Sequence, residues 1–251
     1  VSRAREAVSR DWFRDWFGEE YLSIYPHRDE REAEEAVRLF LAAAPPPSAA
    51  PVLDLACGAG RHLRELLAAG VPAVGLDLSL ELLQRSRRAS PRGHLVRADM
   101  RRLPVADAVL GGVTSFFTSF GYFATREEDA EVAREMRRVL RPDGAFLLDF
   151  LNAGRVREEL VAEDVREVRG VRVRQSREIL GDTVVKRIRI ESGSDDGGPR
   201  EFEERVRLYE PRDLERLLGA SGLATTARFG DYGGTPFTPG SPRLILAGRA
   251  S

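Results

Sequence analysis

Residues Val52 to His62 read VLDLACGAGRH, a short apolar run that breaks into glycines and then into a helical pattern. Val52, Leu53 and Leu55 suit a strand of a parallel sheet, which is covered on both faces. Gly58 and Gly60 admit positive φ and let a ligand approach bare backbone. From Arg61 the apolar residues Leu63, Leu66 and Leu67 recur at helical spacing, so the free N–H groups of a helix start face the same turn. Strand, glycine turn and helix start together make a cradle for a small ligand.

The spacing of glycines and acids narrows the ligand. A dinucleotide fingerprint requires a third glycine three residues after the second, and Leu63 stands there, which argues against a dehydrogenase. The chain instead carries D-x-A-x-G-x-G from Asp54 to Gly60, and seventeen residues later Asp77 closes a second apolar run, AVGLD. This pair resembles motifs I and II of the class I S-adenosylmethionine-dependent methyltransferases. The resemblance implies an α/β, Rossmann-like seven-stranded fold with S-adenosyl-L-methionine as cofactor.

At 251 residues the chain is long enough for one α/β domain with additions. No apolar run approaches the ~20 residues of a membrane helix, and VSRAREAVSRDWF lacks the apolar core of a signal peptide, so a cytoplasmic location is expected. Cys57 is the single cysteine, which excludes an intrachain disulfide or a cysteine metal cluster. His27, His62 and His94 share no ligand spacing, and no metal is expected. A formal net charge of −1 argues against non-specific attraction to nucleic acid. Lys186 is the only lysine; a compositional bias toward arginine accounts for this more simply than phosphate recognition does.

Along the chain, strands are expected at 51–56, 73–77, 94–97, 107–114 and 144–150, with helices at 61–69, 79–88 and 126–140. This alternation is that of a doubly wound parallel sheet, whose ligands bind at the carboxyl ends of the strands. By the resemblance, Asp54 holds the glycine turn or a water near the cofactor amine, while Ala56, Gly58, Gly60 and Arg61 line its methionine part. Asp77 accepts from the ribose hydroxyls, Leu78 packs on the adenine, and Asp99 with Met100 reads the adenine edge. The alternatives are that Asp77 caps the following helix, that Asp99 is a turn acid and that Met100 belongs to the core.

After the fourth strand comes GGVTSFFTSFGYF, 111–123. Thr114 and Phe116 are expected to flank the sulfonium, with Phe117, Ser119 and Tyr122 turned toward the acceptor, since aromatic faces suit a cation. Asp149 is a candidate base or the holder of a helix start. The adenine- and cytosine-methylating signatures Asn-Pro-Pro-Tyr and Asp-Pro-Pro-Tyr are absent.

Before the first strand, Trp12, Phe13, Trp16 and Phe17 read as helix packing, and Ala33, Ala36, Val37, Phe40 and Leu41 form a helical stripe. Pro45 to Ser48 is a stiff linker. The break YLSIYPHRD resembles a cofactor lid, in which Tyr25 faces the methyl group and Arg28 pairs with the cofactor carboxylate. From Val165 to Tyr209 apolar and charged residues alternate as in antiparallel strands, with SGSDDGGPR, 192–200, as a hairpin tip. The arginines there are interleaved with glutamates and read as a solvated face. Pro211 to Ser221 is a helix, Leu223 to Phe229 and Arg243 to Ala247 are strands, and the loop between carries Asp231 and Tyr232 near the pocket.

The expected organisation is therefore a helical lid at 1–46, a methyltransferase core at 47–162 and 210–251, and an antiparallel substrate lobe at 163–209. The layout resembles bacterial small-molecule enzymes allied to the glycine and amino-sugar N-methyltransferases, implying N- or O-methylation of a small acceptor by in-line displacement. In the amino-sugar group a histidine often stands where this chain has Tyr122. Tyr122, His27 and Tyr232 are the candidate proton acceptors, and a neutral amine attacks without strong base catalysis. An RNA or protein methyltransferase, or a non-catalytic S-adenosylmethionine-binding protein, is the alternative. The residues leave a monomer or a homodimer open.

Overall fold

The structure, a computed structural model, describes residues 11–25, 30–47, 49–91, 93–191 and 198–251. The sequence-based readings of the amino-terminal ten residues, His27, Arg28, Ser48 and the tract 192–197 lie outside the described residues.

In chain order the elements are α1 (Phe13–Trp16), α2 (Glu19–Ile24), α3 (Glu30–Ala43), β1 (Val52–Leu55), α4 (Arg61–Ala68), β2 (Ala73–Asp77), α5 (Leu80–Ala89), β3 (His94–Arg97), β4 (Leu110–Ser115), α6 (Arg126–Val139), β5 (Leu140–Leu151), α7 (Ala153–Glu158), β6 (Glu163–Val168), β7 (Val171–Leu180), β8 (Thr183–Glu191), β9 (Arg200–Arg207), α8 (Pro211–Ala220), β10 (Leu223–Phe229) and β11 (Arg243–Ala250).

Seven strands form one sheet in the order β10-β11-β5-β4-β1-β2-β3. β1 to β5 pair in parallel, as expected of the alternating strands, and β11 makes the whole sheet mixed by running antiparallel to both β5 and β10. A thirteen-residue glycine- and proline-rich loop, 230–242, joins β10 to β11 without a helix, and the chain returns beside β10 as an antiparallel strand, where a helix crossover would have made a parallel pair. β1 lies between β2 and β4, with Asp54 opposite Gly75 on one side and Thr114 on the other. All four residues of β1 and all six of β4 are buried, as strands covered on both faces must be, whereas β3 at the edge is largely exposed.

Helix ends follow local chemistry. Ser79 caps α5 by accepting from the Leu82 N–H at 3.2 Å, so Asp77 is not the cap. Thr125 and Glu128 form a reciprocal capping box at α6. Asn152 caps α7, so Asp149 does not hold that helix start. On α3 the buried stripe is Ala33, Ala36, Val37, Leu39 and Phe40; Leu39 takes the place expected of Leu41.

The second sheet is four-stranded and antiparallel, in the order β6-β7-β8-β9. Its inner residues Val173, Ile188 and Ile190 join a core shared with Trp12, Phe13 and Trp16. Trp16 Nε1 donates to Glu204 of β9 at 2.6 Å, and Lys186 of β8 bonds the Tyr25 hydroxyl. The amino-terminal aromatics are thus packed against both sheets. No described helix is long and apolar enough to cross a membrane.

Candidate functional site

A cavity of about 430 Å³ opens at the carboxyl ends of β1 to β4. Its floor is the glycine turn. Ala56, Gly58 and Gly60 all adopt left-handed φ, at 59°, 55° and 79°. A side chain at Gly60 is doubly disfavoured, because its Cβ would stand 2.1 Å from Ser86 Oγ. Ala56 accepts the strained conformation without being glycine.

Asp77 ties this turn to β2: its Oδ2 accepts from the Gly58 N–H and its Oδ1 from the Ser79 N–H, both at 2.8 Å. Burial raises its pKa from the ordinary carboxylate value, and those amides oppose the rise. Asp54 lies beneath the turn, fully buried, and neither carboxylate oxygen makes a hydrogen bond among the described residues. Burial first, then the charge of Asp77, pushes its pKa up to about 8 against the pull of Arg61 and of the nearby Leu63 amide. Burial, then Asp54 and Asp77, likewise push the Cys57 thiol well up, leaving it protonated and inert.

Of the candidate cofactor residues, Tyr25, Ala56, Gly58, Asp77, Leu78, Asp99, Met100 and Phe116 line the cavity. Asp54, Gly60 and Thr114 do not; they lie behind its wall. Thr114 is buried in β4, its hydroxyl donating to the Leu53 carbonyl at 3.4 Å. The Asp99 carboxylate is gripped by Arg101, at 3.1 and 2.7 Å. Burial works against its charge, yet the Arg101 hydrogen bonds and charge hold its pKa below the usual range.

Among the candidate proton acceptors, Tyr122 lines the cavity, stacked on Phe17 with ring centroids 5.7 Å apart. Tyr232 is placed elsewhere: it is buried outside the lining and donates its hydroxyl to Asp149. Burial, then the Asp149 charge, raise its pKa well above the ordinary phenol value, so it keeps its proton. Asp149 is fully buried and ion-paired with Arg243, at 2.5 Å.

Phe13, Phe17 and Arg169 also line the cavity, though the sequence pattern marked none of them as site residues. The phenylalanines sit in an aromatic run that looks like ordinary helix packing. Arg169 lies in the β6–β7 turn with φ of 52°, and its following Gly170 was the available signal for a turn rather than a strand. The other lobe arginines mostly pair with acids: Arg177 with Asp164, Arg187 with Glu178 and Glu203, Arg189 with Glu191 and Glu201. A surface neutralised in this way gives little counterion-release drive toward nucleic acid.

The residues present fit an adenosyl amino acid. A left-handed turn offers bare backbone, the buried Asp54 carboxyl lies under it, and an acid with an apolar neighbour follows at each of the next two strand ends, Asp77–Leu78 and Asp99–Met100.

Comparison with known proteins agrees with this geometry. Residues 52–144 match the family model described as a methyltransferase domain. Over 202 residues the chain is 31% identical to a dTDP-3-amino-3,6-dideoxy-alpha-D-glucopyranose N,N-dimethyltransferase of Streptomyces fradiae, covering 78% of this chain and 74% of that protein. It is 28% identical over 186 residues to a dTDP-3-amino-3,4,6-trideoxy-alpha-D-glucopyranose N,N-dimethyltransferase of Streptomyces venezuelae, covering 70% of this chain and 76% of the relative. A solved S-adenosylmethionine-dependent methyltransferase from Clostridium acetobutylicum superposes with a TM-score of 0.78 at 17% identity, across 92% of this chain and 95% of that one, and shares the fold. With 31% identity to a methyltransferase across 78% of its length, a methyltransferase-domain match over its glycine turn and strand-end acids, and the fold of a solved methyltransferase, the chain belongs to the class I S-adenosylmethionine-dependent methyltransferases.

Proposed function

We propose that this enzyme methylates the amino group of a small acceptor of the amino-sugar class. The observation that carries this is the likeness to a sugar N,N-dimethyltransferase over 202 residues, which reaches well beyond the methyltransferase-domain match at 52–144. The cofactor half alone is common to enzymes of many substrates; a likeness that includes the surrounding elements speaks for the acceptor.

In this proposal Asp77 holds the ribose, Leu78 and Met100 pack on the adenine, Asp99 with its backbone neighbours reads the adenine edge, and Ala56 to Ala59 face the methionine part over Asp54, with Gly60 shaping the turn from behind. Phe116 closes the sulfonium end, with Thr114 behind it. When bound, S-adenosylmethionine supplies an electrophilic methyl group on a sulfonium. The protein aligns the acceptor amine with it and keeps the site dry, and alignment of this kind contributes roughly 7–11 kcal/mol in favourable cases. Aromatic faces of Phe17, Tyr25, Phe117 and Tyr122 suit the ammonium that forms. In this reading Tyr122, a cavity-lining hydroxyl, passes on the released proton. Residues 1–46 serve as the lid and residues 163–209 as the substrate lobe over the core at 47–162 and 210–251.

The test is an acceptor screen read by S-adenosylhomocysteine release, with dTDP-3-amino-3,6-dideoxy-glucose, free amino sugars, glycine and a transfer RNA pool as probes. Turnover of the amino sugars alone supports the proposal. Preference for glycine or for RNA would overturn it.

A further inference from the structure

The loop that follows β4 carries two consecutive non-glycine residues in the left-handed region, Phe117 and Thr118, each with φ of 59°. Non-glycine residues hold this conformation only where the surroundings over-determine it. Here the surroundings are a buried polar cluster from the neighbouring strands β5 and β11 and the loop before β11. Asp149 of β5 accepts from the Phe117 N–H at 2.6 Å through Oδ2, and its carbonyl accepts from the Thr118 N–H at 3.1 Å. The same carboxylate receives Arg243 Nε at 2.5 Å, Arg243 Nη2 at 2.7 Å and the Tyr232 hydroxyl.

The Arg243 guanidinium then lies over the Phe117 ring, 5.0 Å from its centroid, while Arg61 of α4 lies 4.7 Å from that centroid. Arg61 in turn pairs with Glu32 of α3 at 2.7 Å. Phe117 is therefore the meeting point of the glycine-turn helix α4, helix α3 through Glu32, and the adjacent strands β5 and β11. It lines the cavity together with Phe116, Ser119 and Tyr122.

We propose that Asp149 is a positioning residue for methyl transfer: by fixing the Phe117 and Thr118 amides and, through Arg243, the Phe117 ring, it holds the cavity wall in a strained turn that presents Phe117, Ser119 and Tyr122 to the acceptor. The assignment rests on that wall being the acceptor side. Asp149 touches neither reactant; it acts through the backbone of the loop. Tyr232 and Arg243 satisfy the remaining lone pairs of a carboxylate that burial would otherwise penalise. This gives the loop between β10 and β11 a role without placing it in the cavity.

Asp149→Asn keeps the shape and one acceptor for Phe117 while removing the charge that Arg243 requires. The expected result is a fall in kcat of at least tenfold with dTDP-3-amino-3,6-dideoxy-glucose, S-adenosylmethionine affinity within threefold of wild type, and amide exchange in a peptide spanning 116–122 at least tenfold faster. Thr118→Gly relieves the strain at its own position, and added to Asp149→Asn it is expected to recover at least threefold in kcat. An unchanged exchange rate, a kcat within twofold of wild type, a cofactor affinity that falls in step with kcat, or an absence of glycine rescue would each overturn the proposal. Should Asp149→Asn not fold, Tyr232→Phe removes a single donor: a three- to fivefold loss of kcat with the pH–rate profile unmoved supports positioning, and a displaced profile would make Tyr232 the base instead. If the wild type turns over none of the acceptors, the acceptor class fails, and the exchange arm still decides the role of Asp149.

Discussion

Asp54 makes folding stability depend on pH in a direction opposite to that of most carboxylates. Its side chain is buried in the central strand without a hydrogen bond among the described residues, and its pKa stands at about 8 against 3.8 for an ordinary aspartate. Between those values the folded protein holds a proton that the unfolded chain releases. Stability contributed by this group is therefore fully present below pH 3.8 and is lost as pH rises through about 8. The slope is about 1.4 kcal/mol per pH unit, so Asp54 alone withdraws about 2.7 kcal/mol between pH 5 and pH 7. Asp54→Asn abolishes that titration. The absolute offset of the variant is set separately, because an unpaired buried amide costs about 1–3 kcal/mol of its own. The slope is free of that offset. Urea unfolding of both proteins at half-unit steps from pH 5 to pH 7 should show the wild type losing stability relative to the variant by about 2–3 kcal/mol. Asp77 is shifted the same way by burial and is present in both proteins, so the difference isolates Asp54 and its coupling to Asp77. Parallel curves over that range would refute the assignment of a buried proton to Asp54.

Other perturbations test the frame around the site. Gly60→Ala should destabilise by about 2 kcal/mol or more, from left-handed strain and from the clash with Ser86; Ser86→Ala in the same chain should return the clash share only, as read by urea unfolding. Arg207→Met removes a partner at 3.2 Å from the fully buried Asp129 and should cost about 3–5 kcal/mol, where a loss below 1 kcal/mol would contradict a working buried pair. Thr125→Ala breaks the capping box of α6 and should cost about 1 kcal/mol, with Glu128→Ala adding less than its own single effect because the two act together.

How much of this was legible in the sequence differs from element to element. The run from Val52 to Asp77 carried its own structure, because apolar strands, left-handed glycines and helical spacing are local properties. The alternation of β6 to β9 was equally readable, since an antiparallel sheet with one wet face writes period two into the chain. The reversal of β11 was not, as direction depends on a return loop and on partners in β5 that stand 92 to 104 residues away in the chain. Side-chain roles divided along the same line. Asp77 could be placed because it follows its own strand. Tyr232 and Asp149 could not, because a loop residue and a strand residue 83 positions apart meet only in the fold, where Asp149 then reaches Phe117. Phe13 and Phe17 escaped notice as cavity residues because a helix packing against a core and a helix walling a cavity share the same aromatic pattern.

In the proposed reading the glycine turn and the strand-end acid Asp77 together bind S-adenosylmethionine. Asp77 supports the turn through Gly58 and faces the cavity, so its loss should remove both effects at once. Calorimetric titration of the wild type with S-adenosylmethionine and with NAD, repeated for Asp77→Ala, tests this most directly. The account predicts one-to-one binding of S-adenosylmethionine, none of NAD, and at least a thirtyfold loss of affinity, about 2 kcal/mol, in the variant. Failure of the wild type to bind S-adenosylmethionine, or an Asp77→Ala protein that binds it as tightly, would contradict the account.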